Sequence, residues 1–158
     1  ILIKAFKKIK KRDYKLIIVG DGIYKKKLIK LVKSLKLQKK VIFTGWTNNP
    51  DKFYLKSKLF ILPSFFEGFG NVLIEAMNLK VPCISTLGSG SPKEILGNGK
   101  YGYLVQKQNV NELTKKINYC LENPIEIKKK AGLAKRSLAR FHPAKSIDKY
   151  LLEIKSKF

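Results

Sequence analysis

Short apolar runs that close on glycine or proline alternate with segments of helical periodicity over residues 1–107. The runs predict five strands, at residues 15–19, 41–43, 58–62, 81–85 and 103–105. Apolar positions recur every three or four residues over residues 24–35, which indicates an amphipathic helix, and residues 51–57 and 71–79 are predicted helices as well. Strands that alternate with helices in this way predict an α/β fold, a Rossmann-like parallel sheet with helices on both faces.

Both ends of the chain have a helical pattern only. Residues 1–6 indicate part of an amphipathic helix, and because they lack an initiator methionine we expect the chain to start inside a longer protein. From residue 109 onward the apolar spacing is helical, and Pro124 and Pro143 mark predicted helix starts. With 158 residues, the chain fits a single Rossmann-like domain, residues 1–158, that ends in C-terminal helices.

The charge is strongly basic and unevenly distributed. Lysine and arginine number 34 against 11 acidic residues, and residues 1–40 alone carry 15 basic and 2 acidic side chains. Such a field attracts polyanions and anionic lipid head groups. Only Arg12, Arg136 and Arg140 supply the planar guanidinium that favours bidentate phosphate or base recognition. We therefore weigh a lysine-rich solvated surface above a dedicated nucleic-acid site, and keep an anionic membrane surface as a candidate partner.

Several classes of protein are excluded by composition. No uninterrupted apolar run approaches the roughly 20 residues that a membrane-spanning helix requires. Cys83, Cys120 and the single histidine, His142, are too few for a four-ligand zinc site or a disulfide framework. We expect no bound metal and no disulfide.

Glycine-rich loops follow the predicted strands, at residues 20–22, 45–47, 64–70 and 86–92. In an open parallel sheet, ligands bind beyond the carboxyl ends of the strands, where such loops gather. Glycine permits close backbone approach there, and amides at a helix start bind anions such as phosphate. The sequence thus predicts a ligand site at this edge.

The loop and helix that follow the third strand contain the acidic candidates. Glu75 lies in an apolar predicted helix, and if it is buried there its ionised carboxylate needs a partner such as a ligand. The alternative is that Glu75 lies on a half-exposed edge or bonds a neighbouring lysine. Glu67 precedes a glycine turn and is interpreted either as a polyol-binding carboxylate or as a helix N-terminal acid. Glu94 fits a first-turn acid. Trp46 either stacks on a base or fills the edge of the core, and His142 fits a surface or capping role.

Two nucleotide-binding fingerprints are absent or incomplete. Gly20-Asp21-Gly22 after a strand is similar to a dinucleotide motif, but the third glycine position holds Lys25 and no suitable acidic residue follows. The sequence contains no G-x-x-x-x-G-K-[ST] phosphate loop.

Together the motifs resemble the C-terminal, nucleotide-sugar-binding domain of the family 4 retaining glycosyltransferases, which have two Rossmann-like domains. The resemblance covers residues 1–124. Its motifs are LIIVGDG at residues 16–22, VIFTG at 41–45, LPSFFEGFGNVLIEA at 62–76, VPCIST at 81–86, PKEIL at 92–96 and YGYLV at 101–105. Two glutamates separated by seven residues, Glu67 and Glu75, are the most specific element of this series.

The resemblance implies a role for each matching position. Glu75 matches the glutamate that binds the donor ribose, and Glu67 matches the one that contacts the donor sugar near its reacting centre, so Glu67 is the candidate catalytic residue. The remaining donor-binding positions implied are Gly20, Gly45, Trp46, Thr47, Gly68, Phe69, Gly70, Asn71 and Val72. Residues 45–47 fall where the family holds the base, and residues 68–71 where amides face the sugar and diphosphate.

The family's reaction moves a sugar from a nucleotide diphosphate to an acceptor hydroxyl with retention and without a metal or other cofactor. Uridine diphosphate is the candidate nucleotide here. The resemblance implies polysaccharide or lipid-linked glycan synthesis, at a cytoplasmic location that is peripheral at the inner face of the membrane. The acceptor-binding N-terminal domain and the basic residues that clamp the diphosphate lie upstream of a segment like residues 1–3, so we expect this chain alone to bind nucleotide weakly and to be inactive. Lys80 and Ser91 stand where the family commonly has glycine, and we expect either to narrow the donor pocket.

Two other functions fit the sequence. One is a basic polyanion-binding or nucleic-acid-binding module with the same fold and no catalysis, and the other is an inactive scaffold.

Overall fold

The computed structural model describes residues 1–11, 13–88 and 90–141. Its strands are β1 (Leu16–Val19), β2 (Val41–Gly45), β3 (Phe60–Leu62), β4 (Cys83–Leu87) and β5 (Tyr103–Gln106). Its helices are α1 (Leu2–Lys8), α2 (Lys25–Ser34), α3 (Asp51–Lys56), α4 (Asn71–Asn78), α5 (Pro92–Ile95), α6 (Val110–Glu122) and α7 (Pro124–Ser137). Every predicted strand is present, so the α/β fold class is confirmed. His142, Pro143 and the helix predicted after them lie outside the described residues.

The strands form two parallel sheets where the pattern predicts one. β1 pairs with β2, and β3, β4 and β5 pair in that order. Within the described ranges no strand lies hydrogen-bonded between β1 and β3, so the two sheets are not joined. They still share one core, because side chains of both sheets pack into the same cluster.

Helices pack against the sheets in two groups, as the Rossmann-like pattern predicts. One cluster joins α1, α2 and α6 to the strands through side chains such as Phe6, Val32 and Leu113. A second joins α3, α4, α5 and α7 to β3 and β4 through Leu73 and Met77, which are fully buried. Burial of these apolar side chains supplies most of the free energy that holds the helices in place.

β4 begins later in the sequence than predicted because of the way α4 ends. Lys80 has a left-handed backbone, with φ of 57°, and the Val81 N–H donates to the Ala76 carbonyl at 2.9 Å. Val81 therefore closes the helix, and β4 begins at Cys83, two residues later than predicted. Lys80 thus ends α4 in a conformation that glycine adopts most easily. The expectation that Lys80 narrows the donor pocket stays a prediction.

The β1–β2 sheet leaves apolar side chains exposed. Ile17 and Ile42 are register partners, and both are about two-fifths exposed, as is Val19. Parallel strands are apolar on both faces because both faces are normally covered. The described residues cover this face of β1 and β2 only in part.

Among the described helices, none is both long and apolar enough to cross a bilayer. The described ranges also hold no group of three histidine, cysteine, aspartate or glutamate side chains placed to bind a metal ion. Cys83 and Cys120 are buried free thiols, and burial raises the pKa of each to about 12.

Substitutions at two glycines test this packing. At Gly102 an added Cβ would lie 2.8 Å from Leu96 Cδ2 and 3.0 Å from the Cys83 carbonyl oxygen, whereas at Gly132, inside α7, it would contact nothing within 4 Å. We expect Gly102→Ala to lower the free energy of unfolding by about 1–3 kcal/mol through overpacking. Gly132→Ala should raise it by about 1 kcal/mol through helix propensity. Urea denaturation measures both, and equal effects would contradict the described packing around β5.

Candidate active site

The loops after β1 and β2 meet at the carboxyl edge of their sheet. The Gly20 N–H donates to the Gly45 carbonyl at 2.8 Å. Both glycines have positive φ, 115° and 73°, which side-chain-bearing residues rarely adopt. The predicted positions Gly20, Gly45, Trp46 and Thr47 therefore lie together. Asp21, between the two glycines of its loop, is held by Lys25, whose ammonium donates to its carboxylate and keeps the pKa of Asp21 below its ordinary value.

The loops after β3 and β4 form the second part of the edge. The Ser91 N–H and hydroxyl donate to the Gly68 carbonyl at 3.4 and 3.3 Å, and the Thr86 hydroxyl donates to the Ser64 carbonyl. An added Cβ at Gly90 would lie 1.7 Å from the Glu67 carbonyl oxygen. The approach of the two backbones is thus closer than any side chain at Gly90 would allow. Ser91 stabilises this contact through both hydrogen bonds. The expectation that it narrows the donor pocket stays a prediction.

Glu67 is half-buried and held from two sides. The Ser64 hydroxyl donates to Glu67 Oε2 at 2.9 Å. The side chain also lies over Gly70, where an added Cβ would be 3.5 Å from Glu67 Cγ. One carboxylate oxygen has its position fixed by Ser64 while the backbone of the same residue is fixed by the loop after β4.

The N-terminus of α4 is open to an anion. Gly70, the residue before the helix, has a left-handed backbone, with φ of 76°, and no side chain caps the first turn. The first turn also lacks an acidic residue. Amides of the first helical turn have no partner inside the helix, and the helix dipole makes this end positive. Asn71 and Val72 begin the helix, which places the predicted Gly68, Phe69, Gly70, Asn71 and Val72 along one continuous turn.

Glu75 is exposed, which corrects the expectation of a buried carboxylate. α4 buries Leu73, Ala76 and Met77, and Glu75 falls on the opposite side of the helix. Its partner is Tyr54 of α3, whose hydroxyl donates to Glu75 Oε2 at 3.0 Å. Tyr54 is 7% exposed, and burial, followed by the nearby Glu75 charge, raises the pKa of its hydroxyl. The hydroxyl therefore stays protonated and orients the carboxylate. The side-chain partner of Glu75 is thus a tyrosine of another helix and not the neighbouring lysine considered from the sequence.

Aromatic side chains surround the carboxyl edge and face solvent. Trp46 is 76% exposed, so the interpretation that it fills the core edge is wrong. Phe65, Phe66 and Phe69 are also more than half exposed. Exposed apolar patches on a folded domain mark surfaces that another molecule or domain covers.

Ser64 and Tyr54 were not identified from the sequence, and the hydrogen bonds of Ser91 were not predicted from it. Ser64 precedes Glu67 by three positions, the spacing of reciprocal serine–glutamate pairs, and this signal was available in the sequence. Ser91 and Tyr54 carry no such signal, because each meets its partner only after two elements pack together. Glu94 lies in the first turn of α5, as the sequence indicates.

Comparison with known proteins places the chain among glycosyltransferases. The sequence matches the family described as Glycosyl transferases group 1 over residues 1–138. A Campylobacter jejuni relative, N-acetylgalactosamine-N,N'-diacetylbacillosaminyl-diphospho-undecaprenol 4-alpha-N-acetylgalactosaminyltransferase, is 34% identical over 155 residues, which is 96% of this chain and 42% of the relative. The Staphylococcus aureus poly(ribitol-phosphate) alpha-N-acetylglucosaminyltransferase is 29% identical over 149 residues, 93% of this chain and 30% of the relative.

Solved structures agree. Anabaena Alr3699/HepE in complex with UDP superposes with a TM-score of 0.85 at 25% identity, over 99% of this chain and 44% of that chain. Staphylococcus aureus TarM gives a TM-score of 0.85 at 26% identity, over 96% of this chain and 30% of that chain. The chain spans less than half the length of these relatives. Because the family match extends over most of its length, the chain belongs to the glycosyl transferases group 1 family, and the resemblance predicted from its motifs is confirmed.

Proposed function

We propose that this chain is the donor-binding domain of a glycosyltransferase and that its carboxyl edge binds a nucleotide-diphosphate sugar, with uridine diphosphate as the nucleotide. The observation that carries the proposal is the Tyr54–Glu75 hydrogen bond, which holds an exposed carboxylate in one orientation beside the open N-terminus of α4. An exposed carboxylate held by a buried tyrosine is suited to accept hydrogen bonds from a polyol, because its free oxygen remains accessible.

In this proposal, different site residues bind different parts of the donor. Glu75 accepts hydrogen bonds from the ribose hydroxyls, and the loop of Gly45, Trp46 and Thr47 holds the base, with the exposed indole stacking on it. The first-turn amides of α4 face the diphosphate. Gly20 supports the base loop through its hydrogen bond to Gly45.

Glu67 is the proposed catalytic residue. A carboxylate near the anomeric carbon stabilises the positive charge that develops there as the glycosidic bond to the diphosphate breaks. The amides at the start of α4 stabilise the negative charge that develops on the leaving diphosphate. Fixed groups of this chain perform both tasks in this proposal. The proposal also includes retention of configuration, transfer of a hexosyl-type sugar and independence of a metal ion.

The names of similar proteins support this substrate class. HepE has been solved with UDP, with UDP and glucose, and with UDP-glucose, and TarM with UDP. The Campylobacter jejuni relative acts, by its name, on a diphospho-undecaprenol-linked glycan, and the Staphylococcus aureus relative acts on poly(ribitol-phosphate). By analogy we propose an acceptor that is a polysaccharide or a lipid-linked glycan, and a cytoplasmic location at the inner face of the membrane. We also propose that acceptor binding and transfer require a second domain, so this chain alone binds nucleotide weakly and transfers no sugar.

The carboxylate of Glu75 is tested by Glu75→Gln, which keeps the size of the side chain and removes its charge. We expect UDP affinity to fall roughly 10- to 100-fold, because hydrogen bonds to a charged group are lost. Isothermal titration with UDP and GDP measures the loss and the base preference. Glu126→Gln is the matched control, since Glu126 is another carboxylate that accepts from a tyrosine, Tyr119, and lies on α7.

If Glu75→Gln and Glu126→Gln bind UDP equally well, the donor site proposed at Glu75 is wrong. If all variants bind UDP and GDP with equal affinity, and that affinity falls steeply with salt concentration, the basic polyanion-binding module is favoured instead.

Tyr54 is tested as a positioning residue. We expect Tyr54→Phe to weaken UDP binding by about 3- to 10-fold, because Glu75 loses the hydrogen bond that orients it. In a Glu75→Gln background the same change should have a much smaller effect, since the two residues act as one unit. Tyr119→Phe removes the corresponding hydrogen bond to Glu126 and should leave UDP binding unchanged. Additive losses in the double variant would show that Tyr54 acts independently of Glu75.

Glu67 is tested by transfer kinetics in the intact enzyme. Glu67→Ala should lower kcat by about 10²- to 10³-fold while UDP affinity changes little, because the carboxylate acts on charge that exists only in the transition state. Ser64→Ala should lower kcat by a smaller factor, with Ser137→Ala, which removes a hydroxyl at the end of α7, as its control. A kcat that is unchanged in Glu67→Ala would remove Glu67 from the mechanism.

A further inference from the structure

The outward side of α2 carries a dense group of lysines. Lys26, Lys27, Lys30 and Lys33 are all exposed, and their three- and four-residue spacing places them on one side of the helix. The whole segment between Asp21 and Asp51 contains eight lysines and no acidic residue. We name these four side chains the α2 lysine face.

Helix stability does not account for this arrangement. The first turn of α2 lies at the positive end of the helix dipole, where cations are unfavourable, yet it holds Lys25, Lys26 and Lys27 and no acidic residue. Lysines three and four positions apart also repel one another. Among the described residues, no acidic side chain forms an ion pair with a lysine of the α2 lysine face. An external anionic partner would lower its free energy.

Apolar side chains stand next to the lysines at the same end. Ile23, just before the helix, is 90% exposed, and Tyr24 is 65% exposed. Further along, Ile29 is also exposed at the margin of the lysine face. The apolar side of α2 packs into the core. Its exposed lysines and the exposed isoleucine and tyrosine at its tip supply the electrostatic and apolar contributions that bind a protein to an anionic bilayer.

We propose that the α2 lysine face, with Ile23 and Tyr24 at its tip, docks on an anionic lipid bilayer. Nucleic acid fits the surface less well. The segment has no arginine for bidentate phosphate or base contacts. Burial of the exposed isoleucine at the acyl-chain boundary of a bilayer would lower the free energy of the bound state. Mobile lysine ammoniums match a diffuse layer of anionic head groups.

The docking helix begins at the carboxyl edge of the sheet. α2 starts three residues after Gly22, and the loop before it is fastened to the base loop by the Gly20–Gly45 hydrogen bond. A bilayer in contact with Ile23 and Tyr24 would therefore lie beside the candidate active site, where a lipid-linked acceptor is present. This orientation rests on the proposed function, whereas docking itself depends only on α2.

Vesicle binding tests the proposal with a charge-matched pair of variants. The test variant is Lys26→Gln/Lys27→Gln/Lys30→Gln/Lys33→Gln. The control is Lys115→Gln/Lys128→Gln/Lys129→Gln/Lys135→Gln, which removes four exposed lysines of α6 and α7 and causes the same change in net charge. Co-sedimentation uses vesicles of phosphatidylcholine alone and vesicles that also contain phosphatidylglycerol.

We expect the unmodified protein to bind only the anionic vesicles, and the test variant to lose about a hundredfold or more in partition coefficient. The control should lose no more than about threefold. Ile23→Ser should weaken the part of the binding that persists at high salt, because that part is apolar.

Three results would overturn docking through α2: equal binding to both kinds of vesicle, equal losses in the two quadruple variants, or binding to a DNA duplex that exceeds binding to anionic vesicles. UDP titration of the test variant separates this proposal from the donor site. If the test variant keeps its UDP affinity and loses vesicle binding, both the donor site and the docking of α2 are supported. If the unmodified protein fails to bind vesicles, the docking proposal fails and the donor measurements at Glu75 are unaffected.

Discussion

The parallel register between β3 and β4 determines where Glu67 lies. Leu62 is the register partner of Ser85, and from that pair onward the hydroxyls of Ser85 and Thr86 donate to carbonyls of the neighbouring strand end and loop. Ser64, held in this way, positions the Glu67 carboxylate, and Gly90 lets the loop after β4 close over the Glu67 backbone. A shift of register would therefore displace the carboxylate without altering any residue of the site.

Much of the fold and part of the site follow from local pattern. β-branched runs such as Val41-Ile42-Phe43 predict their strands because a buried parallel strand requires apolar side chains on both faces. Glycines at strand ends predict the edge because close backbone approach and positive φ favour them, and Gly20, Gly45, Gly70 and Gly90 have that conformation. These are properties of single residues and their neighbours in sequence.

The remaining features depend on contacts between elements distant in sequence. The apolar composition of α4 suggested a buried Glu75, but composition does not show which side of a helix is covered. The Tyr54–Glu75 hydrogen bond exists because α3 packs beside α4, and these residues are 21 positions apart. Likewise, apolar strand residues predicted one sheet covered on both faces, whereas the described residues leave Ile17 and Ile42 about two-fifths exposed.

Two positive regions of the chain differ in how they would hold an anion. At α4 the charge comes from backbone amides after Gly70, which are fixed, short-ranged and directional, so they suit a small anion of defined geometry such as a diphosphate. At α2 the charge lies on flexible lysine side chains, which are effective over about 10 Å and specify no geometry. They suit an extended surface. Gly20, Asp21 and Gly22 connect the start of α2 with the loop of residues 45–47. The diffuse attraction at α2 would therefore orient the domain, and the fixed amides at α4 would select the substrate.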